Sequence, residues 1–407
     1  MTSILIQGGN VLNVETLTSS VSDVLIQDGL ISQVGPNLKA PAGAQTIQAK
    51  GLTVMPGMID CHTHVVASQL NLGQNASLPN ALATLRAVPI LSGILMRGFT
   101  TVRDAGGADF SLAEAIRTDV IDGPRIFPAG HALSQTGGHG DFRQRNDLIE
   151  PCACSLKVGN IGRVVDGEDD VRLAIREEIM KGATQIKIMA SGGVASPNDP
   201  IHFLGFSEKE IRAAVEEASN AGTYVMAHAY TPRAISRAVQ CGVRTIEHGN
   251  LVDAATAKIM KEHSAFMVPT LITYEALANE GAGLGFPAES VAKIEAVRGD
   301  GKKALEILAK AGVKMGLGTD LLGALHRHQS EELKLRADIL GNGMTLQQAT
   351  LVGAEIIGMT DKLGVIKSGA IADVLLVDGN PLTDISCLLG QGEHIRVIIK
   401  DGKTYKN

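Results

Sequence analysis

Apolar and polar residues alternate at both ends of the chain, whereas the middle carries short continuous apolar blocks separated by amphipathic stretches. Near the amino end, Ile4-Leu5-Ile6 leads to Gly8-Gly9-Asn10, and Val24-Leu25-Ile26 and Leu30-Ile31 flank Asp28-Gly29. Asp-Gly between apolar runs signals a tight hairpin. The carboxyl end has the same texture in Leu363-Gly364-Val365-Ile366, in Val374-Leu375-Leu376-Val377-Asp378-Gly379 and in Val397-Ile398-Ile399-Lys400-Asp401-Gly402. Two β-rich ends around a different middle predict one small β-sandwich, assembled from residues 1–55 and 359–407.

The middle, 56–358, alternates apolar strands with helices. Strands are expected at the run into His62, at Thr100-Thr101-Val102-Arg103, Arg125-Ile126-Phe127, Gln185-Ile186-Lys187-Ile188-Met189, Tyr224-Val225-Met226-Ala227-His228, Thr245-Ile246-Glu247-His248, Ala265-Phe266-Met267-Val268 and 314–320. Helices are expected near 111–121, at 168–182, from the Ser207-x-x-Glu210 capping box to about 220, and from Thr231-Pro232 onward. Eight strands alternating with helices predict an α/β fold of the (β/α)8 TIM-barrel type, since parallel strands need helical crossovers. An open doubly wound sheet is the competing architecture. It would want a G-x-G-x-x-G turn, which neither Gly106-Gly107 nor Gly192-Gly193 makes.

Composition sharpens this picture. With 407 residues and 44% hydrophobic content, the chain has material for a large core and a smaller companion unit. The 46 glycines and the absence of Trp fit tight strand–helix connections around an aliphatic core. A formal charge of −6 leaves no electrostatic footprint for nucleic acid or an anionic membrane, so small-molecule substrates are expected. No signal-peptide pattern or long apolar span is seen, and the five cysteines are odd in number. They read as free thiols in a cytoplasmic protein. Cys152-Ala153-Cys154 lacks a second ligand pair and is discounted as a metal clip.

The chemistry concentrates at expected strand ends. In Pro56-Gly57-Met58-Ile59-Asp60-Cys61-His62-Thr63-His64 the two histidines stand at i and i+2, so both imidazoles project from one face of a strand. Lys187, His228, His248 and Asp320 fall at the ends of four further strands. Four imidazoles and a carboxylate at the catalytic face of a barrel suit a metal site. Lys187 is the odd member: among cations it must lose its proton or be chemically changed, unless it is exposed or paired with a carboxylate.

In these motifs the chain resembles the amidohydrolase superfamily. Pro-Gly-Met-Ile-Asp-Cys-His-Thr-His is similar to its first-strand motif, Gln-Ile-Lys-Ile to its strand-four lysine, Ala-His-Ala and Glu-His-Gly to its fifth- and sixth-strand histidines, and Leu-Gly-Thr-Asp to its eighth-strand aspartate. The resemblance implies a carbamylated Lys187 bridging two divalent ions, with zinc expected. His62, His64 and Asp320 would hold one ion, and His228 and His248 the other. A metal-bridged hydroxide would attack a carbonyl, with Asp320 as general base and then acid.

Thr100-Thr101-Val102-Arg103-Asp104-Ala105-Gly106-Gly107, the run from Ser134 to Asp141 and His228-Ala229-Tyr230 narrow the resemblance to Xaa-Pro dipeptidases, carboxypeptidases and imidazolonepropionase-like relatives. By that similarity His139 and Tyr230 would contact the scissile carbonyl or the tetrahedral intermediate, donating N–H and O–H. The implied reaction is cleavage of the C-terminal amide of a dipeptide such as Xaa-Pro, or of an N-acyl amino acid including ochratoxin-like aryl amides. The alternative is a mononuclear cyclic-amide hydrolase or deaminase. Arg103, Arg143, Arg145 and Arg327 are the candidates for holding a substrate carboxylate. Relatives commonly assemble, so a homo-oligomer is expected.

Overall fold

The computed structural model describes residues 3–143, 157–196 and 199–407. Both chain ends enter one eight-stranded sheet. Its order is Lys403–Lys406, Ile395–Lys400, Val374–Val377, Thr53–Pro56, Ser3–Asn13, Thr18–Gln27 and Leu30–Gly35, with Gln45–Gln48 also pairing with Ser3–Asn13. The two ends meet where Thr53–Pro56 runs antiparallel to Val374–Val377. Ser3–Asn13 is long enough to change partners along its length, Ile4 to Gln7 lying beside Gln45–Gln48 and Asn10 and Val11 beside Thr53–Pro56.

The hairpins expected at Asp28-Gly29 and Asp401-Gly402 form, with Asp28 at φ 51° and Asp401 at φ 53°. Asp tolerates this left-handed region and Gly enters it without penalty, which is why the dipeptide closes such turns. The run 363–366 is not a strand. Gly364 turns at φ 70° against the Thr350 carbonyl, where an added Cβ would lie 2.5 Å from that oxygen.

The middle supplies parallel strands in chain order. Met58–Thr63, Phe99–Asp104 and Arg125–Phe127 are neighbours, as are Ile186–Met189, Val225–Ala229, Thr245–His248 and Phe266–Val268. Thr184 N–H donates to Pro128 O at 2.8 Å across one junction between these sets. At the other junction, the strand expected at 314–320 contracts to a bridge between Met315 and Met267, and Cys61 N–H donates to Leu317 O at 2.7 Å. Gly318 runs close against the neighbouring strand, where a Cβ would stand 2.5 Å from Val268 Cγ1, and Asp320 then leaves extended geometry at φ 53°. Two short strands not anticipated in the sequence, Ala132–Ser134 and Gly162–Val164, extend the sheet beside Ile186–Met189.

Helices cover these strands. Glu208–Asn220 begins with the anticipated capping box between Ser207 and Glu210 and buries Ile211, Ala214 and Ala218. Pro232–Gln240 starts with Pro at its first turn, and the Thr231 side chain accepts from Ala234 N–H. The helix expected over 111–121 stops earlier, as Phe110–Arg117, because Asp119 turns left-handed at φ 58°. Each fully buried aliphatic side chain under these helices contributes about 1.5–3 kcal/mol. Among the described residues no helix is long and apolar enough to cross a membrane.

Pro56-Gly57 joins the terminal sheet to the first parallel strand. A Cβ on Gly57 would lie 2.1 Å from Thr100 Oγ1, and Gly57 N–H donates to Asp373 O at 2.9 Å. This close approach sets where the first strand begins, and so where His62 and His64 end up.

Candidate active site

Parallel strands deliver the side chains at their carboxyl ends to one face. His62, His64, Lys187, His228, His248 and Asp320 all line one cavity there, together with His139 and Tyr230. Two of these residues bend the backbone to reach it: His248 lies at φ 72° and Asp320 at φ 53°. Left-handed non-glycine residues store strain, a feature that concentrates at functional sites.

Each of the four strand-end imidazoles has one ring nitrogen tied back to an outer partner. His62 Nδ1 donates to Glu247 Oε2 at 2.8 Å, His64 Nδ1 to Gly106 O at 2.9 Å and His228 Nε2 to Gly192 O at 3.1 Å. His248 Nδ1 shares a hydrogen bond with Thr270 Oγ1 at 2.8 Å. This leaves Nε2 of His62 and His64 and Nδ1 of His228 for the centre, while His248 Nδ1, besides meeting Thr270, itself stands 3.8 Å from Asp320 Oδ2. His62 Nε2 and His64 Nε2 stand 3.4 and 3.2 Å from Asp320 Oδ1. Ligand atoms of His62, His248 and Asp320 all lie within 4.8 Å of one another. That grouping crosses the division expected from the sequence, which put His248 with His228.

Electrostatics follow from burial. Desolvation lowers Lys187 to about 8 despite the pull of Glu247 and Asp320. Desolvation, with repulsion from neighbouring His and Lys groups, pushes His228 and His248 well below the usual imidazole range. Burial alone would raise Asp320, but His62 and His64 hold its carboxyl well below the ordinary carboxylate range. Neutral His228 and His248 and an ionised Asp320 are forms a divalent cation requires, whereas His64, its charging opposed by burial but favoured on balance by Asp320, sheds its proton when an ion binds.

The donor set fits such an ion. His62 Nε2 is fully buried and has no hydrogen-bond partner, whereas buried polar atoms are normally satisfied. The tie-backs of His62, His64 and His228 are the outer support that orients metal-binding histidines.

Beneath the site, Arg103 Nη2 donates to Glu247 Oε1 and Oε2 at 2.9 and 3.0 Å, and Arg103 Nε to Cys61 O at 2.7 Å. Both side chains are fully buried. Arg103 is therefore consumed by Glu247 and is not a substrate-carboxylate receptor, which corrects the sequence-based expectation. Arg143 pairs with Asp141, Arg327 pairs with Glu280, and neither lines the cavity. Arg145, Cys152 and Cys154 lie outside the described residues, while Cys61, Cys241 and Cys387 are free thiols.

Sequence reasoning also missed partners that support the site. Glu247 sits next to His248 in the Glu-His pair, yet nothing local says that it reaches His62 and Arg103. Tyr274 shares a 2.7 Å hydrogen bond with Tyr230 hydroxyl to hydroxyl, and it too lines the cavity. His139 Nδ1 faces Ser196 Oγ at 2.6 Å and Asp199 Oδ2 at 3.1 Å. A neutral His139 therefore carries its proton at Nδ1, and Nε2 donates only when the ring holds both protons.

The class of protein follows: the chain belongs to the amidohydrolase family, whose model matches residues 53–404. It is accordingly a hydrolase. It is 58% identical, over all of both chains and with a TM-score of 0.98, to a prolidase crystallised with N-methylphosphonate-L-proline. A Xaa-Pro dipeptidase structure with bound methionine is 29% identical, covers all of both chains and has a TM-score of 0.87. Ochratoxinase from Aspergillus niger is 31% identical over 94% of this chain and 82% of its own length.

Proposed function

We propose that this protein is a dinuclear metal-dependent hydrolase of C-terminal amide bonds, acting on dipeptides of the Xaa-Pro kind and on N-acyl amino acids. Convergence of the strand-end histidines, Lys187 and Asp320 on one cavity, with His62, His64 and His228 each tied back through one ring nitrogen, carries the reading. Similarity to a prolidase that binds a phosphonate of proline supports the substrate class. The cavity wall adds a preference. Leu72, Phe142, Ile161, Leu277 and Leu322 line it, and Asp320 is the one acidic group among the described lining residues. A cationic C-terminal residue would find no counter-charge there, so proline and other apolar residues suit it better than Arg or Lys.

In this reading the catalytic unit is a closed (β/α)8 barrel over 56–358, carried by the β unit of 1–55 and 359–407. His62, His64, His228, His248, Asp320 and Lys187 would hold two divalent ions, with zinc the natural choice for imidazole and carboxylate donors. Lys187, about 8, has access to its neutral amine near neutral pH. Addition of carbon dioxide to that amine, with release of a proton, would turn it into a carboxylate, and so into a further ligand for the ions. When bound, the ions supply an acidified water and a Lewis acid for the amide carbonyl. Asp320 takes a proton from the attacking water and passes it to the departing amine. Tyr230 gives a hydrogen bond from its hydroxyl to the carbonyl oxygen as charge develops, with Tyr274 fixing the hydroxyl's direction. His139 faces the same cavity through Nε2.

The test is a panel of Xaa-Xaa dipeptides, N-acyl amino acids and cyclic amides presented to zinc-reconstituted protein. Release of free proline from Xaa-Pro dipeptides is expected, with about two metal equivalents per chain and loss of activity in Lys187→Ala. Hydrolysis confined to cyclic amides, with one equivalent and an active Lys187→Ala variant, would replace this reading with the mononuclear one.

A further inference from the structure

His139 is held on several sides by elements distant in sequence. Its ring stacks on His228 with centroids 4.2 Å apart. It also lies against Gly193, where an added Cβ would come within 2.1 Å of His139 Cε1. Gly193 belongs to the segment that follows the Lys187 strand, and that segment turns back on the ring through Asp199. Asp199, 2% exposed, accepts from His139 Nδ1, from Ser196 Oγ and from Gly193 N–H at 2.7 Å. Lys293, on the helix Ala288–Ala311, closes the arrangement. Its Nζ donates to the carbonyls of Gly193, Ser196 and Asp199 at 3.0, 2.7 and 3.0 Å, and stands 3.8 Å from Asp199 Oδ1.

Such an arrangement exceeds what a loop needs for order. A buried carboxylate costs free energy unless paired, and here it is spent on one nitrogen of a cavity-lining imidazole. With Nδ1 so engaged, Nε2 is the only ring nitrogen left for a ligand. An ammonium with three donors on three backbone carbonyls fixes the carboxylate that fixes the ring.

We infer that Asp199 and Lys293 are positioning residues: they clamp the segment after the Lys187 strand and aim His139 Nε2 at the substrate. This rests on the proposed hydrolase reading and adds to it a pair of residues that touch neither substrate nor metal. The functional consequence is that Asp199 acts on the reaction through His139, while its bond from Gly193 N–H holds the segment whose Gly192 carbonyl meets His228.

A double-mutant cycle on the zinc-loaded enzyme tests it, with the best substrate from the dipeptide panel. Asp199→Asn lowers kcat/KM by about 10²-fold, as expected for a misaimed group, while zinc content stays at the wild-type value. In the His139→Ala background the same change costs less than about 3-fold, because the group it positions is gone. Ser196→Ala, which keeps the Asp199 charge, shows a smaller loss that likewise vanishes without His139. It stands in should Asp199→Asn fail to fold. Lys293→Met falls in the same direction. Equal losses with and without His139, or loss of zinc in Asp199→Asn, would overturn the inference and make the clamp a support of the loop or of the metal site. A wild-type enzyme that cleaves no C-terminal amide would instead remove the hydrolase reading on which the inference rests.

Discussion

Two buried charge networks, one at the ends of the parallel strands and one centred on the helix Glu331–Leu340, are built to opposite rules. Around Arg336 the network is closed. Nε donates to Glu332 Oε1 at 2.7 Å, Nη1 to Gly316 O at 2.9 Å and to Gln348 Oε1 at 2.7 Å, and Nη2 to Pro269 O, while Glu332 Oε2 accepts from Ile272 N–H at 2.7 Å. Around His62 and Asp320 the network is satisfied on its outer side only. Glu247 and Arg103 close it below, but His62 Nε2, facing Asp320, is left without a hydrogen-bond partner. The difference separates structure from chemistry. A closed network ties segments together and has nothing left to offer, whereas an open one keeps desolvated donors pointed at a shared centre. Leaving such atoms unmet costs about 1–3 kcal/mol each, which a bound ligand recovers.

Substitutions that strike one network and spare the other are the sharpest way to break this comparison. Asp320→Asn should lower kcat by about 10²–10⁴-fold, the range for losing a general acid–base group, without unfolding the protein; steady-state kinetics beside a thermal melt would show it. Arg336→Met should do the reverse. It strands Glu332 in the interior at a cost of about 3–5 kcal/mol, read by urea unfolding, while zinc content measured on the folded protein is unchanged. Zinc loss in that variant would mean the two networks are one.

Glu247→Gln belongs to both sides. Losing the outer partner of His62 should weaken zinc binding by about 10–100-fold, measured by competition with a chelating dye, and stability should fall as well because Arg103 loses its anion. Retained affinity would show that the tie-back to His62 does not matter to the centre.

Glu178 extends the closed class to a third place. Burial opposes its ionisation, but hydrogen bonding and attraction from His131, with help from Lys181, bring it down from 4.5 to about 2. Its stabilisation is therefore full above pH 4.5 and disappears as pH falls toward 2. The loss is roughly 3 kcal/mol, and acid unfolding of wild type against Glu178→Gln would reveal it as a difference that closes at low pH. The smallest effect is expected from Arg327→Ala at the exposed pair with Glu280. Stability should shift by less than about 1 kcal/mol and KM should stay put; a large rise in KM would restore Arg327 as a carboxylate receptor.

Much of this molecule is legible along the chain because its signals are local. Asp28-Gly29 and Asp401-Gly402 close hairpins through their own backbone preferences, and Ser207 and Glu210 cap a helix within one turn. His62 and His64 share a face because a strand repeats every two residues. Where local signals failed, distant packing had decided. The strand expected at 314–320 keeps one bridge and bends away at Asp320, and the run at 363–366 turns at Gly364, packed against Thr350.

The sequence by itself determined which side chains stand at strand ends, and hence the kind of chemistry the chain supports. Tertiary structure alone decided which atoms of those side chains face the centre. Glu247 claims His62 Nδ1 from another strand, Asp199 claims His139 Nδ1 from another loop, and Arg103, plausible as a substrate receptor in the sequence, is taken by Glu247. The reason is physical: position along a strand follows from backbone periodicity, but the choice of ring nitrogen or partner depends on which buried group lies within about 3 Å, and no local pattern encodes that.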